Sequence, residues 1–89
     1  MKNAKIKETV TVKDSENNMH LTYSVIISED TGEYGISVLK ECGGERECEI
    51  TENISSSFEK VLSLAHLLAR NTVTPVSFKD VVYDFLCEM

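Results

Sequence analysis

Apolar and polar positions alternate through Met19–Ser28, with Ile26 the exception. Leu21, Tyr23, Val25 and Ile27 fall on one face, and Thr22, Ser24, Ile26 and Ser28 on the other. A period of two marks a strand, and one apolar face beside one small polar face marks a sheet covered on one side only. The same period runs through Lys5–Lys13, where Ile6, Glu8, Val10 and Val12 share a face. It returns in Glu33–Glu41, with Tyr34, Ile36 and Val38 inward, and Arg46–Glu52 forms the fourth predicted strand. Between the strands lie Asp14–Asn18, Glu29–Gly32 and the Gly43-Gly44 pair, all built from turn residues.

The last of these links decides a register. A two-residue Gly43-Gly44 turn sets Glu47 and Glu49 opposite Lys40 and Val38, on the core face. A three-residue loop, Gly43 to Glu45, sets Cys48 and Ile50 there instead, because a slip of one residue moves every side chain to the other face. The three-residue loop keeps the acids in water and is the expected one. It also makes Cys42 and Cys48 diagonal neighbours on one face, about 7–8 Å apart, which is too far for an unstrained disulfide.

Beyond Glu52 the period lengthens. Ser56 with Glu59 fits a capping box. Phe58, Val61, Leu62, Ala65, Leu68 and Ala69 then line one face of a helix that ends at Asn71. Val73, Thr74 and Pro75 read as an extended link, since the residue before proline avoids the helical region. Ser77 is the expected cap of a second helix, whose inner face is Phe78, Val81, Val82, Phe85 and Leu86. The expected fold is α+β: a four-stranded antiparallel β-meander, order 1-2-3-4, followed by two α-helices packed on one face (ββββαα). Residues 1–89 are read as one domain.

Composition adds limits. A chain of 89 residues buries about 64% of its unfolded surface, enough for a sheet with a helical cover and too little for a deep cofactor cleft as well. No stretch approaches the about 20 apolar residues of a membrane span. The N-terminal Lys2, Asn3 and Lys5 have no apolar run behind them to make a signal peptide, so a cytoplasmic location without membrane association is expected. The net charge is −6, and that sign repels a phosphate backbone, so no nucleic acid is expected as a partner. The lysines of the first strand read as protection of a sheet edge against aggregation.

The string Asn71-Thr72-Val73-Thr74-Pro75, followed by Phe78-Lys79-Asp80-Val81-Val82-Tyr83-Asp84-Phe85-Leu86, and the strand Glu33-Tyr34-Gly35-Ile36-Ser37-Val38 are modestly specific motifs. With them the chain, from about Leu21 onward, resembles a family of short uncharacterised proteins of anaerobic Gram-positive bacteria. The resemblance implies a free-standing cytosolic domain. It carries over no catalytic or binding residue, and the cysteines lie outside its motifs.

Chemistry-bearing side chains are sparse. Cys42, Cys48, Cys87, His20 and His66 show no CxxC or HxxxH spacing for zinc, and neither histidine has a nucleophile placed beside it by local spacing. Asp80 and Asp84 share a helix face that reads as solvated, and no phosphate loop is present. Neither an enzyme nor a resident cofactor or metal is expected. The alternative, a small-ligand or metal-binding domain, would use Cys42, Cys48 and a histidine.

The apolar excess is more informative. Leu64 and Leu67 form an i, i+3 pair off the expected helix stripe, and Ile26 and Leu39 fall on the otherwise polar sheet face as expected cross-strand neighbours. These four residues are the candidate interaction surface, for a protein partner or a homodimer. The acidic hairpin of Glu41, Glu45, Glu47, Glu49 and Glu52 would suit a basic partner, against its plainer reading as a solvated edge. The expected function is a non-enzymatic interaction or regulatory module.

Overall fold

The computed structural model describes residues 4–88. Four strands, β1 (Ala4–Asp14), β2 (Met19–Ser28), β3 (Tyr34–Cys42) and β4 (Glu45–Ser55), precede two helices, α1 (Phe58–Arg70) and α2 (Pro75–Glu88). The strands form one antiparallel sheet in the order β1-β2-β3-β4. This is the ββββαα fold that the two periods predict. Met1, Lys2, Asn3 and Met89 lie outside the described residues.

The core lies between the sheet and the helices. Leu21, Tyr23 and Val25 of β2 and Ile36 and Val38 of β3 meet Val61, Leu64, Ala65 and Leu68 of α1 and Phe78 and Val82 of α2. The other sheet face carries no helix among the described residues. Tyr34 closes one end of the core against Phe58, with ring centroids 5.4 Å apart and planes tilted by 58°.

The β3–β4 register differs from the expected one. Cys42 pairs with Glu45, Lys40 with Glu47 and Val38 with Glu49, across a two-residue turn. Gly43 and Gly44 take φ of 57° and 88°, the left-handed pair that a tight hairpin needs. Turn chemistry therefore outweighs the preference for keeping glutamates off the helix side. The cost is small because β4 is an edge strand: Glu47 stays exposed and reaches Lys40 Nζ at 3.5 Å, and Glu49 reaches Lys79 Nζ of α2 at 3.7 Å.

Two irregularities re-aim other side chains. A bulge between Ile6 and Glu8 leaves Lys7 unpaired. It puts Ile6 opposite Ile26, on the face away from Val10 and Val12 and not with them as alternation implies. In β4, Glu52, Asn53 and Ile54 stand against Gly35 alone, and Asn53 takes φ 56°. Thr31 Oγ1 donates to Asn53 Oδ1 at 2.9 Å and pins this bulge. The extra residues turn Ile54 into the core.

The helix boundaries shift slightly. Ser57, not Ser56, caps α1: its side chain accepts from the Lys60 N–H at 3.3 Å. Pro75 is the first residue of α2 instead of part of an extended link. Proline suits that position, because it fixes a helical φ and its missing N–H would lack a partner there.

Candidate functional site

The four candidate apolar residues separate once placed. Leu64 is 0% exposed and sits in the core, so it belongs to no surface patch. The α1 stripe is rotated toward it from the expected centre, and buries Val61, Leu64, Ala65 and Leu68. Leu67 is half-buried and packs against the same core. The helix pair is therefore packing, and the sheet face alone remains as a candidate surface.

On that open face, pairing fixes every position. Ile6 lies directly opposite Ile26, Thr9 opposite Ser24 and Thr11 opposite Thr22. Ser24 faces Ser37, and Thr22 faces Leu39. Leu39 faces Cys48, and Ser37 faces Ile50. Ile26 faces Gly35, so Ile26 and Leu39 are not cross-strand neighbours as expected. They stand four residues apart along the ladder, because Leu39 is paired with Thr22. The apolar side chains form two groups instead, Ile6 with Ile26 and Leu39 with Ile50 on a diagonal, either side of Ser24–Ser37. Ile26 is only 4% exposed although no helix covers it, while Ile6 is 65% and Ile50 36% exposed. Alternation in β2 found Ile26, and alternation in β3 found Leu39. Ile6 was missed because a bulge has no sequence signature, and Ile50 because its face depends on the register.

Between Thr9 and Ile50 the rows hold only threonine, serine, cysteine and aliphatic side chains. Charge returns at one end, where Lys13, His20, Glu41 and Arg46 line up across the strands, with Arg46 Nε donating to Glu41 Oε2 at 3.1 Å. His20 Nε2 is shielded and has no hydrogen-bond partner among the described residues. Shallow clefts of about 290 Å³ flank His20 on either side of the β1–β2 turn.

The cysteines are dispersed. Cys42 lies on the helix side and donates to the Asn17 carbonyl at 3.6 Å. Cys48 lies on the open face, 4.0 Å from Ser37 Oγ, and Cys87 is exposed on α2. Cys42 and Cys48 are thus on opposite faces, not diagonal neighbours, and the register accounts for the change. Among the described residues no group of three or more His, Cys, Asp and Glu side chains is placed to hold a metal ion. Asp80 and Asp84 are both exposed.

A second apolar feature lies at the outer edge of β4. A groove of about 440 Å³ runs between that edge and α2, lined by Ile50, Glu52, Lys79, Val82, Tyr83 and Leu86. Tyr83 is 73% exposed beside it. Thr51 Oγ1, which also lines the groove, is shielded and has no hydrogen-bond partner among the described residues.

Over residues 2–88 the chain matches the model of a family of unknown function, DUF6514, and it belongs to that family. The match reaches back over β1 and takes in all three cysteines. No curated protein and no solved structure matches the chain. Among the described residues no helix is long and apolar enough to cross a membrane.

Proposed function

We propose that the protein is a non-enzymatic interaction module that self-associates through its open sheet face, acting in the cytoplasm of an anaerobic Gram-positive bacterium. The carrying observation is the charge-free centre of that face, with its two aliphatic groups, in a chain of net charge −6. Depletion of charge at the centre of a patch is the compositional mark of an interface. A threonine and serine surface alone is what a solvated sheet face carries. Ile6, Ile26, Leu39 and Ile50 are the departure from it.

The occupant that fits is a second copy. Two copies repel each other over most of their acidic surface, and this face removes that cost where they would meet. Four strands spaced about 4.8 Å apart, over about eight residues of about 3.3 Å each, present about 500 Å² per copy. Two copies then bury about 1,000 Å², the lower bound of a specific interface. A two-fold axis through Ser24–Ser37, in the plane between the sheets, sets Ile6 and Ile26 of each copy against Leu39 and Ile50 of the other. Such a contact is isologous and closes at a dimer. Native mass spectrometry of wild type and Leu39→Glu tests this reading. A dimer lost in the variant supports it, and an unchanged mass distribution removes it.

A further inference from the structure

The groove between β4 and α2 shares only Ile50 with the open sheet face, and it has its own chemistry. We propose that it takes an extended basic peptide, which adds to β4 as a fifth strand. Among the described residues strand β4 is the last in the sheet, so one row of its N–H and C=O groups has no described strand beside it. A helix flanks that row at the groove. An edge strand beside a helix supplies both parts of strand-addition recognition: main-chain hydrogen bonds for affinity and a pocket for alternate side chains. The lining from Lys79 to Leu86 covers about 10 Å of helix, the length of about three residues of extended chain. One apolar anchor side chain, pointing between Tyr83 and Leu86 toward Ile50, fills that span.

Charge selects the occupant. Strand β4 carries Glu45, Glu47, Glu49 and Glu52 against Arg46 alone, and Asp80 and Asp84 lie on the exposed side of α2. The cations present are already used, Arg46 by Glu41 and Lys79 by Glu49. Glu45, Glu52, Asp80 and Asp84 take part in no ion pair among the described residues. These acids reject a second β4 as edge partner, since like charges directly opposite destabilise a strand pair. They attract a strand bearing Lys or Arg on either side of its apolar anchor.

The test is selection from a random heptapeptide display library on the full chain, followed by binding of the best synthetic peptide at about 0.05 M and about 0.5 M salt. The expected peptides hold an apolar residue flanked by Lys or Arg. Their affinity falls at least about tenfold on N-methylating alternate backbone amides, and similarly in Tyr83→Asp, which alters an exposed side chain. The amide resonances that move belong to residues 46–52 and to α2. Selection of acidic peptides, selection of none, or binding unaffected by N-methylation overturns the proposal. So do shifts confined to the Thr22–Leu39 face. Shifts of β4 on raising the concentration of Leu39→Glu, with no peptide, place the lysine-bearing β1 of a second copy at this edge and also overturn it. Leu39→Glu, which lies outside the groove, retains peptide binding, so failure of the groove and failure of the dimer are distinguishable.

Discussion

Tyr23 Oη donates to the Val73 carbonyl at 2.6 Å, inside the core. The bond ties the central strand β2 to the link between α1 and α2, across 50 residues of sequence. It explains a tyrosine where the alternation asks only for an apolar residue, and it holds the second helix on the sheet. Tyr23→Phe keeps the ring and leaves a shielded carbonyl without its donor, at a cost of about 1–3 kcal/mol. Urea unfolding of the two proteins measures it. Burial pushes the Tyr23 phenol up to about 12 from its ordinary 10.0. A group whose pKa is raised by folding contributes stability that is full below its unfolded value and is lost as pH climbs through the folded one. Stability from this group therefore declines between about pH 10 and about pH 12. In a phenolate absorbance titration one tyrosine ionises late, and Tyr23→Phe removes that late step.

Leu64 separates the core from the surface reading of α1. Leu64→Ala costs about 2–5 kcal/mol, the range for truncating a buried leucine. Leu67→Ala costs less, because Leu67 is only partly buried. Equal and small losses in both, measured by denaturant unfolding, would return the pair to the surface.

Gly35 has a packing reason independent of its φ. A Cβ there would lie 2.3 Å from the Thr51 carbonyl oxygen and 2.8 Å from Glu52 Cα, both backbone atoms of the β4 bulge. Gly35→Ala forces that bulge apart and costs about 1–3 kcal/mol, as overpacking does. At Gly32 nothing lies within 4 Å, but φ is +72°, so Gly32→Ala bears only the left-handed strain of about 1–2 kcal/mol. Amide exchange distinguishes them: Gly35→Ala loosens residues 51–55, and Gly32→Ala loosens only its own turn.

The elements were legible because their periods were clean. Strand β2 alternates with Ile26 as its one exception, and the order of the meander follows from its short links. What escaped the sequence was set by backbone detail. Two glycines with positive φ fixed the β3–β4 register, while the wish to keep Glu47 and Glu49 wet pointed the other way. An edge strand can place acids on the helix side and still hydrate them, so that wish had little force. Lys7 sits in a bulge that nothing in Lys5–Lys13 announces, and Ile6 changed faces with it. Leu64 and Ala65 flank Val61 and Leu68 on a helical wheel, and only the docking angle of α1 on the sheet decides how far the buried stripe reaches toward Leu64. Of the candidate residues, Ile26 and Leu39 lie on the open sheet face, Leu64 is in the core, and Leu67 is partly buried against it.

Cys48 and Cys87 are a built-in probe. Both are exposed, but only Cys48 lies on the open sheet face. In concentrated protein, alkylation of Cys48 slows at least about threefold relative to Cys87, and dilution restores it. Peptide mapping by mass spectrometry reads both rates in one sample. Equal rates at all concentrations would place the face in solvent.

The central claim is that the uncovered sheet face meets a second copy, and mass in solution tests it most directly. Light scattering is followed across a concentration series for wild type, Leu39→Glu and Val76→Asp, the last altering an apolar residue that is 80% exposed on α2. The account predicts a concentration-dependent dimer for wild type and Val76→Asp, and a monomer of 10.0 kDa for Leu39→Glu. A wild-type monomer throughout the series, or a dimer that survives Leu39→Glu, would contradict it.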